Sequence, residues 1–225
     1  MEQRKIFITG TDTDVGKTLI TQSLIQLFQN QNKTTVAIKP VAAGCEILND
    51  QLINDDALKM IEVMDGSPSY SKVNPIALEL AIAPHIAAEK SGQYLSVNTL
   101  SEKCNLSQFE KEIIIVEGAG GWLVPLNQTE TFADWVEVEK LDVVLVVGIK
   151  LGCINHALLT VENIERRGLN LIGWVSNCVD HEMSCLDENV DTLKGMIDAP
   201  MIAKIPFLMN KNKIAIEHFN DSFFD

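Results

Sequence analysis

Apolar positions in this chain follow two rhythms that take turns. Short unbroken runs such as Ile6-Phe7-Ile8, Ile113-Ile114-Ile115-Val116 and Val143-Val144-Leu145-Val146-Val147 have the composition of strands buried on both faces, as in a parallel sheet. Strands are predicted over Lys5 to Thr9, Thr35 to Ile38, Glu112 to Glu117, Val143 to Gly148, Leu171 to Ser176 and Met201 to Ile205. Between them, apolar residues recur at helical spacing over Lys17 to Gln29, Asp55 to Met64, Pro84 to Lys90, Phe132 to Lys140, Ile154 to Arg167 and Leu186 to Met196. This alternation predicts an α/β fold, a doubly wound and mostly parallel sheet with helices on both faces. Ligands are expected beyond the carboxyl ends of its strands.

At 225 residues, 46% hydrophobic and 22% charged, the chain is expected to form one domain over residues 1–225. The segment from Met209 to Asp225, with Phe219, Phe223 and Phe224, has no evident role. A net charge of −13 without a basic run speaks against nucleic acid or an anionic membrane as partner, since both require clustered cations. The start Met1-Glu2-Gln3-Arg4-Lys5 does not read as a signal peptide, and no apolar run approaches the ~20 residues of a membrane span, so a cytoplasmic protein is expected. Five cysteines without a Cys-x-x-Cys pair suit reduced thiols better than a disulfide framework. Cys178, His181 and Cys185 form only a weak pattern for a metal.

The first strand runs directly into Gly10-Thr11-Asp12-Thr13-Asp14-Val15-Gly16-Lys17-Thr18 and a helix. A strand, tight loop and helix in this order direct peptide N–H groups and the positive helix end at one point, which suits a phosphate group. Lys17 adds a mobile cation, and Thr18 places a hydroxyl where the Mg²⁺ of a nucleotide sits. The usual pattern has glycine where this chain has Thr11, so counting from Gly10 makes the loop one residue longer. The fold expected is therefore of P-loop NTPase type.

The other polar motifs also follow strands. Lys39-Pro40 closes the second, and next to a phosphate loop its lysine can face a transferred phosphoryl group. Glu117-Gly118-Ala119-Gly120-Gly121 follows the third: Glu117 can ligate Mg²⁺, while Gly118 and Gly120 let a ligand approach the backbone. Asp55 and Asp56 open a helix and either favour its dipole or supply a second metal ligand. Lys150-Leu151-Gly152-Cys153-Ile154-Asn155-His156 begins another helix and offers N–H groups to an anion. His156 is not assigned a catalytic role.

These blocks, with Phe132-Ala133-Asp134-Trp135, together resemble the dethiobiotin synthetase family in order along the chain to about Pro206. The resemblance implies a homodimeric ligase that uses MgATP to join CO₂ to a diamine, 7,8-diaminopelargonic acid, and close a cyclic urea through a carbamate and a carbamic-phosphoric anhydride. It implies Lys39, Lys17 and Thr13 as catalytic residues, and Thr18, Asp56 and Glu117 as Mg²⁺ ligands. Asp14, Val15, Gly16, Gly118, Ala119 and Gly120 join them around the phosphates, with Asn177, Cys178, Pro206, Phe207 and Leu208 near adenine. Thr13, Lys39, Ala43 and Pro84 are implied on the diamine, whose carboxylate meets Gly152, Cys153, Ile154 and Asn155 of the neighbouring subunit. Two positions depart from the family's usual pattern, Ala43 in place of serine and Asp14 in place of glutamate. Three rivals are a nucleotide-switched partition ATPase, which usually carries a second lysine early in the loop, an amide-forming ligase acting on a larger acid, and a catalytically impaired relative.

Overall fold

In chain order the elements of the computed structural model, which describes residues 3–66, 68–209 and 214–220, are β1 (Arg4–Gly10), α1 (Lys17–Asn30), β2 (Thr35–Ile38), β3 (Val41–Ala42), β4 (Glu46–Leu48), β5 (Gln51–Ile53), α2 (Asp55–Val63) and α3 (Tyr70–Val73). There follow β6 (Ile76–Ala77), α4 (Pro84–Lys90), α5 (Val97–Cys104), β7 (Ile113–Glu117), α6 (Phe132–Glu139), β8 (Asp142–Ile149), α7 (Cys153–Arg166), β9 (Leu171–Cys178), α8 (Leu186–Met196) and β10 (Met201–Ile205). The six expected strands and six expected helices are all present, with ends within two residues of those read from the sequence.

Six strands form one parallel sheet in the order β10-β9-β8-β1-β7-β2. The apolar run of β8 shows how both faces are covered. Val144 and Val146 belong to the main core with α1 residues Leu24 and Phe28, while Leu145, Val147 and Ile149 pack with Ala157 and Val161 of α7 and Val190 and Leu193 of α8. Alternate side chains thus enter opposite layers, which is why the run carries no polar residue. Phe132-Ala133-Asp134-Trp135 has a structural account. Phe132 and Trp135 are fully buried, and Asp134 closes a capping box with Thr131 and accepts from Arg167 at 2.7 Å.

Strand order explains the position of the site. β1 lies centrally, so its exit is flanked by the exits of β7 and β8. Ile8 is paired with Glu117, and Gly10 with Val146. β2 beyond β7 delivers Lys39, and β9 beyond β8 delivers Asn177, paired with Gly148. The motifs read from the sequence therefore meet along one edge of the sheet.

Several elements were not expected. The hairpin β4–β5 turns on Asn49 and Asp50, both at positive φ (50° and 61°), the backbone a two-residue hairpin loop favours. α5 is capped by the preceding Ser96, whose side chain accepts from Thr99 N–H.

Part of the segment without an assigned role packs on the body. Ala215 and Phe219 are buried in the main core, Ala215 N–H donates to Ser23 Oγ, and Phe219 bridges antiparallel to Ala203 on β10. Asn220 N–H donates to Ile202 O, so this rim of the sheet is covered. At the opposite rim, Ala37 N–H of β2 donates to the buried thioether Sδ of Met64 at 3.0 Å, and Lys39 N–H donates to Val73 O. Phe223 and Phe224 lie outside the described residues. Among the described residues no helix is long and apolar enough to cross a membrane, no disulfide is formed and no cluster of three or more His, Cys, Asp or Glu is arranged to hold a metal.

A candidate nucleotide site at the strand exits

Thr11, which departs from the shorter glycine pattern, anchors the loop to β8. Its N–H donates to Val146 O and its Oγ1 accepts from Gly148 N–H at 3.3 Å. The loop then turns through positive φ at Asp14 (57°) and Gly16 (93°) into α1. Glycine is favoured there, because φ 93° strains any L side chain and a Cβ would lie 2.3 Å from Asn177 Nδ2, which would have to shift. That amide is itself held by donating to Val15 O at 2.7 Å. Lys17 folds back over the loop and donates to Asp12 O at 3.0 Å. Burial lowers its pKa to about 8, partly offset by the nearby Glu117 carboxylate.

A chain of charge stands beside the loop. Lys39 Nζ lies 2.6 Å from Glu117 Oε1 and 2.9 Å from Asp56 Oδ2, and Thr18 Oγ1 donates to Glu117 Oε1 at 2.9 Å. Burial by itself lowers the Lys39 pKa, but the two carboxylates outweigh it and hold the pKa above the ordinary lysine value. Burial opposes ionisation of Asp56 as well, yet the lysine keeps its pKa below the usual carboxylate range. Asp56 is positioned by the start of α2, where Asn54 Oδ1 caps Ala57 N–H. Glu117 is fully buried, and its second oxygen, Oε2, has no hydrogen-bond partner. A buried carboxylate oxygen without a partner, beside a second carboxylate and a hydroxyl, is an oxygen donor set that suits a hard cation such as Mg²⁺.

These groups line one cavity of about 1150 Å³. It brings together Thr13, Asp14, Val15, Gly16, Lys17, Thr18, Lys39, Ala43, Asp56, Pro84, Glu117, Ala119, Gly120, Asn177, Cys178, Phe207 and Leu208. Pro206 is exposed and lies outside it, and Gly152 with the first residues of α7, Cys153, Ile154 and Asn155, also lies outside it. Of these Cys153 is buried in the α7–α8 core and its N–H already donates to Lys150 O. The Cys153 N–H is therefore already committed and is not open to an anion. Gly118 does not line the cavity, and a Cβ there would lie 2.7 Å from the Phe7 ring, so packing by itself favours glycine at this position.

Some lining residues had no signal in the sequence. Ala81, Ile82 and Ala83 form one wall and Leu123, Val124 and Pro125 another. Lys150, read only as the approach to a helix start, also lines the cavity and pairs with Asp12 Oδ2 at 2.7 Å, which lowers the Asp12 pKa. The other oxygen of Asp12 accepts from Thr13 N–H at 2.8 Å. The loop is thus braced from β8 by a charged pair.

Residues 4–213 match the family model AAA_26, described as an AAA domain. A protein of Cellvibrio japonicus (strain Ueda107), an ATP-dependent dethiobiotin synthetase, is 48% identical over 208 residues, 92% of this chain and 91% of the relative. One of the same description from Pseudoalteromonas translucida (strain TAC 125) is 44% identical over 214 residues, covering 95% and 94%. Among solved structures, the septum site-determining protein MinD of Pyrococcus horikoshii OT3, complexed with Mg-ADP, has a TM-score of 0.58 at 15% identity, covering 91% of this chain and 81% of its own. A ParA family ATPase of Chlorobium tepidum TLS has a TM-score of 0.56 at 15% identity, covering 92% and 86%. The likeness to both is one of fold.

Proposed function

Because this chain belongs to the ATP-dependent dethiobiotin synthetase family, we infer that it is an ATP-dependent cyclo-ligase that makes dethiobiotin from 7,8-diaminopelargonic acid and CO₂ in biotin biosynthesis. The observation that carries this reading is the lysine held between two carboxylates next to a phosphate loop, Lys39 with Glu117 and Asp56.

One substrate amine forms a C–N bond to CO₂ and loses a proton, giving a carbamate. A carbamate oxygen then attacks the γ-phosphorus of ATP, the bond to the β-phosphate oxygen breaks, and ADP leaves. The second amine attacks the carbamoyl carbon of the mixed anhydride, which expels phosphate and closes the cyclic urea. In this scheme the loop N–H groups and Lys17 hold the phosphates. Lys39 stabilises the negative charge shared by carbamate and phosphoryl oxygens, and Thr13 orients the diamine. Thr18, Asp56 and Glu117 would hold Mg²⁺, which when bound neutralises phosphate charge. Asn177 is oriented by one Nδ2 hydrogen donated to Val15 O, which leaves Oδ1 as an acceptor. An acceptor suits the exocyclic amine of adenine and opposes the carbonyl of guanine.

A homodimer fits the same reading. The free N–H groups at the start of α7 lie outside this chain's own cavity, where a second copy could offer them to a carboxylate. Leu151 and Leu159 beside them are 91% and 59% exposed.

Mass spectrometry of products from the protein with diamine, bicarbonate, Mg²⁺ and ATP tests the reaction, with ADP release followed in parallel. A dethiobiotin mass together with diamine-dependent ADP is expected. ADP release indifferent to the diamine would instead mark a switching ATPase.

Ala43 gives a separate prediction. It lies at the cavity wall without a hydroxyl, and a hydrogen bond to bound substrate is worth about 1 kcal/mol. Ala43→Ser is expected to lower the diamine KM by about fivefold at similar kcat. An unchanged or higher KM in initial-rate assays would remove this position from substrate recognition.

A further inference from the structure

One buried polar network leaves Lys39 and returns to it. Asn74, 3% exposed, donates from Nδ2 to Lys39 O at 2.7 Å and to Ile76 O at 3.3 Å. Its Oδ1 accepts from the Tyr70 hydroxyl at 2.9 Å, and that hydroxyl accepts from Asn54 N–H at 2.6 Å. Asn54 caps α2 through Ala57 N–H, the second residue of that helix is Asp56, and Asp56 meets Lys39 Nζ. The main chain of Lys39 is thereby tied to the helix start that carries the ion partner of its own ammonium.

The network is fully committed. Both amide hydrogens and the oxygen of Asn74 are used, and the Tyr70 hydroxyl both donates and accepts. Neither residue lines the cavity, so neither touches a ligand there. Packing β2 against α2 would require only apolar contacts, which Met60 and Ala57 already provide within the main core. What the polar atoms add is a fixed distance between two charges whose work depends on geometry, and displacement of a reacting group by 1 Å costs about a hundredfold in rate.

We propose that Tyr70 and Asn74 are positioning residues that fix Lys39 and Asp56 relative to one another through the Asn54 cap. The proposal rests on the reading above, in which Asp56 helps to hold the metal and Lys39 acts on the phosphoryl group.

Two readouts test it on the full chain: Mn²⁺ affinity of the ADP complex, followed by electron paramagnetic resonance, and kcat for diamine-dependent ADP release. Asp56→Asn alone tests the underlying reading. Unchanged Mn²⁺ affinity in that variant would refute the metal role of Asp56, whatever Tyr70 does. Given a loss there, Tyr70→Phe is expected to weaken Mn²⁺ binding and lower kcat by about tenfold each. Added to Asp56→Asn, it should weaken Mn²⁺ binding by less than about twofold more, since its effect passes through that carboxylate. The same factor in both backgrounds is what a merely structural tie would give, and it would overturn the proposal, as would wild-type values in Tyr70→Phe. If Tyr70→Phe does not fold, Asn74→Asp is judged by the same criteria, because it keeps the side-chain shape while losing the donors to Lys39 O and Ile76 O.

Discussion

Lys39→Ala is expected to reduce dethiobiotin formation by at least about a thousandfold while nucleotide still binds, because this ammonium is a buried cation held between two carboxylates in the cavity beside the phosphate loop, and electrostatic stabilisation is the main contribution in phosphoryl transfer. ADP release in the presence of diamine and bicarbonate, with calorimetric ADP binding in parallel, checks both parts. Turnover within tenfold of the wild type would exclude Lys39 from the mechanism. The variant should also be less stable. Glu117 is fully buried, its Oε2 has no partner, and without Lys39 its Oε1 keeps only the Thr18 hydroxyl. Removing one member of a buried ion pair costs about 3–5 kcal/mol, which for a chain of this size corresponds to a fall of roughly 10 °C in Tm.

Gly16→Ala should weaken nucleotide capture rather than chemistry. At φ 93° an alanine is strained by roughly 1–2 kcal/mol. Its Cβ would also sit 2.3 Å from Asn177 Nδ2, which can retreat only by giving up Val15 O. Both effects distort the loop whose N–H groups would surround the phosphates, so ADP affinity is expected to fall by at least about a hundredfold. Asn177→Ala removes the tie but leaves the Gly16 backbone conformation in place, and should cost about tenfold. Titration with ADP distinguishes the two. Wild-type affinity in Gly16→Ala would mean that the loop does not bind the nucleotide.

The sheet was legible in the sequence because its strands are buried on both faces, so that Ile113 to Val116 and Val143 to Val147 stand out as unbroken apolar runs. The loop, Lys39 and Glu117 were legible because each directly follows such a run. Elements that lean on the body by one or two side chains were not. α5 buries only Leu100 and Cys104, and β4 is exposed throughout, so neither leaves a pattern. The packing role of Gly118 left no signal, because a glycine needed under an aromatic ring looks, in one dimension, like one needed beside a ligand. The cavity walls at Ala81 to Ala83 and Leu123 to Pro125 are small or apolar residues without periodicity. The pairing of Asp12 with Lys150 joins residues far apart in the chain and follows only from the neighbouring positions of β1 and β8.

The covered rims of the sheet bear on how this chain can be handled. An open outer strand offers a row of unsatisfied amides on which another molecule can stack, the usual start of ordered aggregates. Here one rim is met by Phe219 and Asn220 and the other by the Met64 thioether and Val73 O. Shortening the chain before Ala215 would therefore strip one guard, and oxidising Met64 to its sulfoxide would alter the other. Both changes are expected to raise light scattering from stored protein, whatever they do to turnover.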